Sequence, residues 1–454
     1  MSLLKNKALY KWVVLLACIL IYSTSHLVRW NYSSITKYLM EDLKIGMAEL
    51  GIIGSAFFYV YAIFQLPWGI AADKWGGRKV IPGAIVILGF FLAGFAFSSS
   101  YTEVLFWRGM MGVFSATGYV AIAAVLAKWF TIRERGMAMG VFSGVGGGFG
   151  EILAFLLLPV LALVMTTGLF GISGWRASTI VLGVVISLIG ILAYFMLRSD
   201  PTDMGLPSVQ EAEDEHPEIE YGEAAKMALK STSLWVLSIV FMSFLIFVRL
   251  APAWLPLYAT EFYIETQGMS KGLAIVAGGA IATSYVMGRV IGSPAIAQVS
   301  DILLRGYGIP RTVVMAACQF SGIVFFFLLT LHIPSALMIG ILAFACGSTF
   351  NTFPLVNSTL AEMLTVKAAG FSMAVVNTVG QLGAATALLA SGFMAEHSSV
   401  KGGAFHLNFV GIWYLGILCA IVGLIAALSQ IGPERRAIKD KLAIAAAAVA
   451  AAKA

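Results

Sequence analysis

The chain has 454 residues, of which 59% are hydrophobic and only 11% are charged, and its formal net charge is +6. Soluble domains carry about 25% charged residues, so this composition excludes an ordinary water-soluble protein. The mean hydropathy of +0.90 indicates instead a chain that crosses a membrane many times. Membrane topology explains the surplus of lysine and arginine, and no nucleic-acid partner is predicted.

Apolar runs of about 20 residues, the length that spans a bilayer as a helix, occur twelve times along the chain. In the first half we predict helices over 12–38, 48–72, 80–99, 103–128, 136–165 and 177–197. In the second half we predict helices over 233–260, 272–300, 312–331, 336–360, 370–395 and 405–429. The first run is too long for a cleavable signal peptide and is interpreted as the first span.

A polar, acidic and proline-containing stretch separates the two sets of helices, as a linker would. The predicted organisation is an N-terminal six-helix bundle (1–198), a cytoplasmic linker (199–232), a C-terminal six-helix bundle (233–430) and a cytoplasmic tail (431–454). Of the 29 lysines and arginines, 20 fall in segments predicted to be cytoplasmic and five in external segments. This positive-inside bias places both termini in the cytoplasm. The alanine-rich tail is assigned no function.

Five charged residues lie well inside predicted spans, away from the helix ends: Arg29, Arg108, Glu151, Arg249 and Arg289. A charge at membrane depth costs several kcal/mol unless it is compensated, and such residues are functional by default. A guanidinium is a planar fork that binds a phosphate or a carboxylate through two parallel hydrogen bonds. Two six-helix halves with central ionisable residues are typical of secondary transporters, whose substrate lies between the halves near the bilayer midplane.

Arg29 lies on a polar face of the first predicted helix. Its helical neighbours Tyr22, Ser25 and Tyr32 are predicted to contact the substrate with it. His26, one turn before Arg29, is compatible with the same site or with a structural contact. Arg249 is followed by two prolines, which free backbone groups and favour a bend beside a cavity.

Three polar side chains on other predicted helices are further candidates for substrate contact: Tyr119, Tyr285 and Asn351. Helix–helix packing is the alternative role for each of them.

Three stretches resemble motifs of the major facilitator superfamily: "GIAADKWGGRK", "FWRGMMG" and "KWFTIRERGMAMG". The resemblance implies an all-α membrane protein in which twelve transmembrane helices form two pseudo-symmetric six-helix bundles. It further implies a conformational motif made of Asp73, Lys74, Arg78 and Arg108, with Asp301 in the second half. Four of these residues are expected to lie at the cytoplasmic rim: Asp73, Lys74, Arg78 and Asp301. There they are expected to make inter-helix salt bridges and helix-end contacts that stabilise one conformational state.

Further stretches across nearly the whole chain, among them "HLVRWNYSSITKYLMEDL" and "FVRLAPAWLPLYATEF", are similar to the organophosphate:phosphate antiporter family. That family includes glycerol-3-phosphate and hexose-phosphate carriers. The resemblance implies that Arg29 and Arg249 bind the phosphate of the substrate. The chain departs from the glycerol-3-phosphate carriers at Trp30, Ser143 and Val286, where they have a lysine, a histidine and an acid. A carboxylated substrate, as in the related organic anion symporters, is therefore an alternative.

In the superfamily fold, helices five and eight are neighbours across the interface between the halves, so we predict that Glu151 pairs with Arg289. Three roles are open for this pair. It can be a gate that parts as the halves move, a site of proton coupling through Glu151, or a static bridge.

The predicted function is a secondary active transporter of the cell membrane, here a bacterial inner membrane, that moves a small organic anion by alternating access. Coupling is to a counter-anion, phosphate, or to protons. The alternatives are a proton-coupled symporter of a sugar acid or a mono- or dicarboxylate, and a non-transporting membrane sensor of the anion. No nucleophile–base pair or metal-ligand cluster stands out, so no enzyme, cofactor or metal is predicted. We expect a monomer in the lipid bilayer.

Overall fold

The computed structural model of the protein describes residues 9–167, 171–207, 226, 228–331, 333–363, 366–398, 405–440 and 443. Twelve helices in this part of the chain are long and apolar enough to cross a membrane, which confirms the prediction of a twelve-helix, all-α membrane protein. Residues 208–225 of the predicted linker, and most of the predicted tail, lie outside the described residues.

The spans coincide with the apolar runs, because a helix satisfies every backbone polar group internally where no water can. In the first half they are α1 (Tyr10–Ser34), α2 (Met47–Trp75), α3 (Gly77–Phe95), α4 (Tyr101–Trp129), α5 (Glu134–Val164) and α6 (Gly174–Met196). In the second half they are α7 (Thr232–Gln267), α8 (Lys271–Tyr307), α9 (Arg311–Thr330), α10 (Ala336–Leu360), α11 (Phe371–Ser398) and α12 (Phe405–Asp440). A short helix, Thr36–Leu43, follows α1.

Helices α7 and α8 run past their predicted ends at 260 and 300. Backbone hydrogen bonding continues beyond the apolar stretch into polar turns, which a search for apolar runs does not register. Each helix stops at a glycine in the left-handed region, Gly268 with φ of +61° and Gly308 with φ of +64°. Glycine takes this conformation without a steric penalty and is the commonest residue just after a helix C-terminus.

Helix α12 also continues beyond the predicted start of the tail at 431. Its Glu434 is buried, and the carboxylate accepts hydrogen bonds from the backbone N–H groups of Arg311 and Thr312 at 2.8 and 2.9 Å. These two N–H groups belong to the first turn of α9, which has no intrahelical acceptor for them. The first part of the predicted tail is therefore packed against the second half.

Helix α5 departs from regular α-helical geometry at two places. Five-residue π-helical segments cover Phe142–Gly146 and Leu153–Leu157. Glu151 lies in the α-helical piece between them. A π-helical turn holds one more residue than an α-helical turn and occurs often at functional sites.

Helix α10 is broken in the middle. Its two parts, Ala336–Thr349 and Phe353–Met363, are separated by a non-helical backbone segment that contains Asn351. Pro354 explains the break, because proline lacks the N–H that would bond to the carbonyl oxygen four residues earlier, and its ring clashes with that carbonyl group. The single helix predicted over 336–360 did not include this interruption.

The two halves of the chain meet along three pairs of helices, α1 with α7, α2 with α11 and α5 with α8. Close approach in the second pair needs glycine on both sides. A Cβ atom placed on Gly51 of α2 would lie 2.8 Å from the Cα atom of Gly392 on α11. Small residues allow helix backbones inside a membrane protein to approach this closely.

Helix α1 crosses α5 at Gly150, and this crossing generates a stability prediction. A Cβ atom on Gly150 would overlap the Ser23 carbonyl oxygen and lie 2.8 Å from the His26 Cβ atom. We expect Gly150→Ala to lower the free energy of unfolding by ~1–3 kcal/mol, because the backbones must separate. Thermal unfolding of the detergent-solubilised protein, followed by size-exclusion chromatography, measures this change.

The matched control is Gly144→Ala in the same helix, because nothing lies within 4 Å of a Cβ atom placed on Gly144. This control is expected to leave stability unchanged or to raise it slightly, since alanine favours a helix more than glycine does. Equal unfolding temperatures for the two variants would contradict the described crossing.

Candidate functional site

Four charged side chains from four helices form one cluster at the interface between the halves. Arg29 of α1 and Arg249 of α7 are 4% and 3% exposed, and Glu151 of α5 is 1% exposed. Arg289 of α8, whose side chain is 20% exposed, forms an ion pair with Glu151. The Arg249 guanidinium lies over the ring of Trp30, the residue next to Arg29, and Arg29 bonds to His26, a partner of Glu151, so the four groups share one site. Each half of the chain contributes two of them.

One nitrogen of the Arg29 guanidinium is hydrogen-bonded, and the other two have no partner among the described residues. Its Nη1 donates a hydrogen bond to Nε2 of His26 at 3.3 Å, and its centre lies 4.6 Å from the ring centroid of Tyr61 on α2. Its Nε and Nη2 atoms are buried and have no hydrogen-bond partner among the described residues. Nε and one Nη form the edge with which arginine binds an oxyanion through two parallel bonds.

Arg249 has a similar environment from the other half. Its Nη2 donates to Oε1 of Gln381 on α11 at 3.1 Å, whereas its Nε is buried without a partner among the described residues. The guanidinium lies 4.4 Å from the ring centroid of Phe58 and 5.8 Å from that of Trp30. Both aromatic residues belong to the first half, so Arg249 already crosses the interface.

The two arginines lie side by side against α2. Phe58 and Tyr61 are three residues apart and therefore occupy one face of that helix. A guanidinium over an aromatic face gains about 0.5–2 kcal/mol, which offsets part of the burial of each charge. The sequence analysis did not include Phe58 or Tyr61, because aromatic residues inside an apolar span give no signal that distinguishes a site from a core.

The predicted pair of Glu151 and Arg289 is present and is extended by a histidine. One carboxylate oxygen of Glu151 accepts from Nη2 of Arg289. The other oxygen lies 2.9 Å from Nδ1 of His26. Glu151 therefore joins α1 and α5 of the first half to α8 of the second half.

The protonation of His26 follows from its two partners. A guanidinium has donors only, so Nε2 of His26 must accept from Arg29. Nδ1 then carries the ring proton and donates a hydrogen bond to the Glu151 carboxylate. The imidazole is therefore neutral. Of the two roles that the sequence allowed for His26, the structure shows the structural contact. His26 connects Arg29 to the Glu151–Arg289 pair.

Arg108 of α4 is separate from this cluster. It is 1% exposed, and it donates to the carbonyl oxygens of Val28 and Arg29 at 3.1 and 3.2 Å and to Oδ1 of Asn31 at 3.2 Å. Three bonds to one turn of α1 fix the backbone that carries Arg29. Arg108 therefore stabilises the position of Arg29 and does not itself face the cluster of charged side chains.

One of the predicted tyrosines, Tyr22, lies beside His26, and a second, Tyr119 of α4, lies beside Tyr22. The ring centroid of Tyr22 is 4.4 Å from that of His26 and 6.0 Å from that of Tyr119. Tyr285 of α8 is buried, its hydroxyl has no partner among the described residues, and it lies one helical turn before Arg289. The structure thus brings Tyr22, Tyr119 and Tyr285 to the cluster.

Two other predicted contacts are engaged elsewhere. The Tyr32 hydroxyl donates to the Leu50 carbonyl oxygen, and its ring centroid is 5.1 Å from the Arg108 guanidinium. Nδ2 of Asn351 donates to the backbone carbonyl oxygen of Arg289 at 3.5 Å. Ser25 is fully buried and packs against Gly118 of α4, and its hydroxyl has no hydrogen-bond partner among the described residues. These residues support helix packing around the cluster.

The conformational motif of the first half lies at the end of α2 and the start of α3. Asp73 and Lys74 are exposed. The backbone N–H of Arg78 donates to Oγ of Ser199 at 3.0 Å, and its guanidinium lies 5.1 Å from the ring centroid of Tyr194. Arg78 therefore ties the start of α3 to the end of α6.

The equivalent rim of the second half is held by ion pairs. Asp301 near the end of α8 pairs with Arg311 at the start of α9, and Arg311 also contacts Glu362 at 2.9 Å. The predicted inter-helix salt bridge of Asp301 is therefore present.

The sequence pattern of the Major Facilitator Superfamily matches residues 18–388. The chain belongs to this superfamily and is a multi-pass membrane protein. This membership confirms the family assignment and the fold drawn from the sequence motifs.

Two relatives are named as transporters of anions. A "Probable hexose phosphate transport protein" of Chlamydia trachomatis is 27% identical over 315 residues, which cover 64% of this chain and 64% of that protein. A "Probable sulfoacetate transporter SauU" of Cupriavidus necator is 25% identical over 290 residues, 61% of this chain and 64% of that protein. The chain thus matches slightly less than two thirds of the length of these relatives. Both are carriers rather than enzymes.

A solved structure supports the fold independently of sequence. It is described as a bacterial homologue of the human lysosomal transporter Spinster in an inward-facing, unoccupied conformation. Its TM-score is 0.72 at 16% sequence identity, and the match covers 95% of this chain and 98% of that chain.

The shared carboxylate of Glu151 generates a prediction on stability. Removing one partner of a buried ion pair costs about 3–5 kcal/mol, because the other charge is left uncompensated. We expect Glu151→Gln alone to lower thermal stability more than the double variant Glu151→Gln with Arg289→Gln. A double-mutant cycle on the purified protein, which includes Arg289→Gln alone, measures the coupling of the two side chains. Additive losses would contradict the pair.

Proposed function

We propose that the protein is a secondary active transporter that moves a small organic anion, an organophosphate or a carboxylate, across the membrane. One observation carries this proposal. Arg29 and Arg249, one from each half, are buried side by side with guanidinium donors that have no partner among the described residues. We infer that these donors clamp the acidic group of the substrate.

The charge of the cluster supports an anionic substrate. Among the described residues, the Glu151 carboxylate alone opposes the three charges of Arg29, Arg249 and Arg289, since the neutral His26 adds none. Two positive charges therefore remain uncompensated. Burying an unpaired charge is unfavourable in a membrane protein. An anion between Arg29 and Arg249 removes this penalty, whereas a cation or a neutral sugar does not.

The contacts between the halves support alternating access. By the predicted orientation, three of them lie at the external rim. Lys37 pairs with Glu261 at 2.7 Å, Glu41 pairs with Lys271, and the Glu396 carboxylate accepts from the N–H of Met47 at 2.9 Å. We propose that the bundles 1–198 and 233–430 rock against each other, so that these contacts break when the external side opens.

Binding of the substrate to the clamp would promote this motion. An anion bound by both halves neutralises the two guanidinium groups and lowers the energy of states in which the halves approach one another. Glu151 joins α1 to α8 in the described conformation. Because this link crosses from one half to the other, we propose that the Glu151–Arg289 pair acts as a gate, one of the three roles open for it.

Proteoliposomes distinguish the modes of coupling. Vesicles are loaded with labelled inorganic phosphate, and release is followed after adding sugar phosphates, carboxylates or sugar acids, with and without a pH gradient. Release driven by an organophosphate indicates phosphate exchange. Uptake of a carboxylate that depends on the pH gradient indicates proton symport. Binding without any flux would contradict transport and favour an anion sensor.

Conservative substitution of the clamp tests the site directly. We expect Arg29→Lys and Arg249→Lys each to reduce anion uptake by ~10-fold or more, because lysine cannot form two parallel bonds. The matched control is Arg198→Lys, since Arg198 lies at the end of α6 and donates only to nearby carbonyl oxygens. Uptake that survives both clamp substitutions would overturn the assignment.

Cross-linking tests the proposed motion. Lys37 and Glu261 are replaced by cysteine in a background that lacks the native Cys18, Cys318, Cys346 and Cys419, all of which are free thiols. We expect a reducible bifunctional thiol reagent to abolish uptake and a reductant to restore it, because the linked halves cannot separate at the external rim. Each single-cysteine variant with the same reagent is the control. Full uptake by the cross-linked protein would contradict alternating access at this rim.

A further inference from the structure

Helix α8 carries two buried donors that the clamp of Arg29 and Arg249 does not use. The Nε atom of Arg289 and the hydroxyl of Tyr285 have no hydrogen-bond partner among the described residues. Tyr285 is 1% exposed, and Arg289 contacts Glu151 through Nη2 only. Buried donors are almost always paired in proteins, so these two require an acceptor that the described residues do not provide.

The two donors belong to one rigid surface. Residues four apart on a helix are neighbours, which places Tyr285 and Arg289 on the same face of α8. Glycines of α10 and α8 fix this helix in place, because a Cβ atom on Gly347 would overlap the Tyr285 carbonyl oxygen and one on Gly288 would overlap the Phe344 carbonyl oxygen. The Asn351 amide also bonds to the Arg289 carbonyl oxygen at 3.5 Å.

The α8 donors are near the clamp but are separated from it. The connection from Arg29 to Arg289 runs through the imidazole of His26 and the carboxylate of Glu151. Two side chains therefore lie on the hydrogen-bonded path from the Arg29 guanidinium to the Arg289 guanidinium. The unpaired donors of Arg289 and Tyr285 thus form a group distinct from the unpaired donors of Arg29.

We propose that Arg289 and Tyr285 form a second acid-binding subsite, and that the substrate carries two ionised groups at opposite ends of a short carbon chain. This inference rests on the proposed function, in which Arg29 and Arg249 clamp the first acid. The second acid accepts from Nε of Arg289 and from the Tyr285 hydroxyl.

Matched ligands test the proposal on the purified protein in lipid nanodiscs, where binding is measured by calorimetry. Sulfoacetate and phosphonoacetate each carry two acids. Sulfoacetamide and phosphonoacetamide have the same shape, but the carboxylate is replaced by a neutral amide. A bond to a charged acceptor predicts that each diacid binds ~10-fold or more tightly than its amide.

Two variants of α8 should remove this preference. The double variant Glu151→Gln with Arg289→Gln leaves the formal charge of the cluster unchanged, and we expect it to bring the affinity ratio of diacid to amide close to one. Tyr285→Phe conserves shape and is expected to lower the ratio by ~3- to 10-fold. Tyr258→Phe is the control, because its buried hydroxyl also lacks a partner among the described residues but its ring packs against Phe405 and Trp413.

The outcomes separate this inference from the proposed function. Equal binding of diacids and amides by the unsubstituted protein would overturn the second subsite and leave the clamp intact, provided that Arg29→Lys weakens both. A preference that persists in Tyr285→Phe and in the double variant would also overturn it. If Arg29→Lys weakens neither ligand, or if the unsubstituted protein binds neither, the clamp and the second subsite both fail.

Discussion

The structure depends on how three guanidinium groups are held in an apolar interior with a single carboxylate. Glu151 is shared between Arg289 and His26, so it compensates only one full charge. Arg29 and Arg249 instead rest on aromatic faces and donate to neutral acceptors, the imidazole of His26 and the amide of Gln381. Such partners reduce the penalty of burial without neutralising the charge. The remaining positive charge at the interface is the physical reason to expect an anion there.

The irregular parts of the backbone lie around these charges. Two π-helical segments flank Glu151 in α5, and the break in α10 lets Asn351 reach the carbonyl oxygen of Arg289. Non-helical backbone at membrane depth is tolerated only where protein or a water-filled cavity surrounds it. Arg108 adds three bonds to one turn of α1. These contacts hold the backbone that carries Arg29 and Arg289, which restricts the positions of both guanidinium groups.

The sequence predicted the twelve spans because apolar length is a strong local signal. The Glu151–Arg289 contact was predicted from the resemblance to the superfamily, in whose fold helices five and eight are neighbours, together with the need of intramembrane charges for partners. The sequence did not predict Phe58 and Tyr61, since the same aromatic pattern serves any buried helix face. Tyr32 shares the polar face of Arg29, yet its hydroxyl turns to Leu50 of α2. Helical periodicity gives the face of a residue but not the direction of its long side chain or its tertiary partner.

The most direct test of the clamp is to locate a bound anion. Methylarsonate resembles a small phosphate ester, and anomalous scattering identifies its arsenic atom in crystals of the protein. The clamp predicts an anomalous peak between Arg29 and Arg249, within hydrogen-bonding reach of Nε and Nη2 of Arg29 and of Nε of Arg249. A crystal in which these atoms face no peak, while arsenic occupies other basic residues such as the rim lysines, would contradict the central claim.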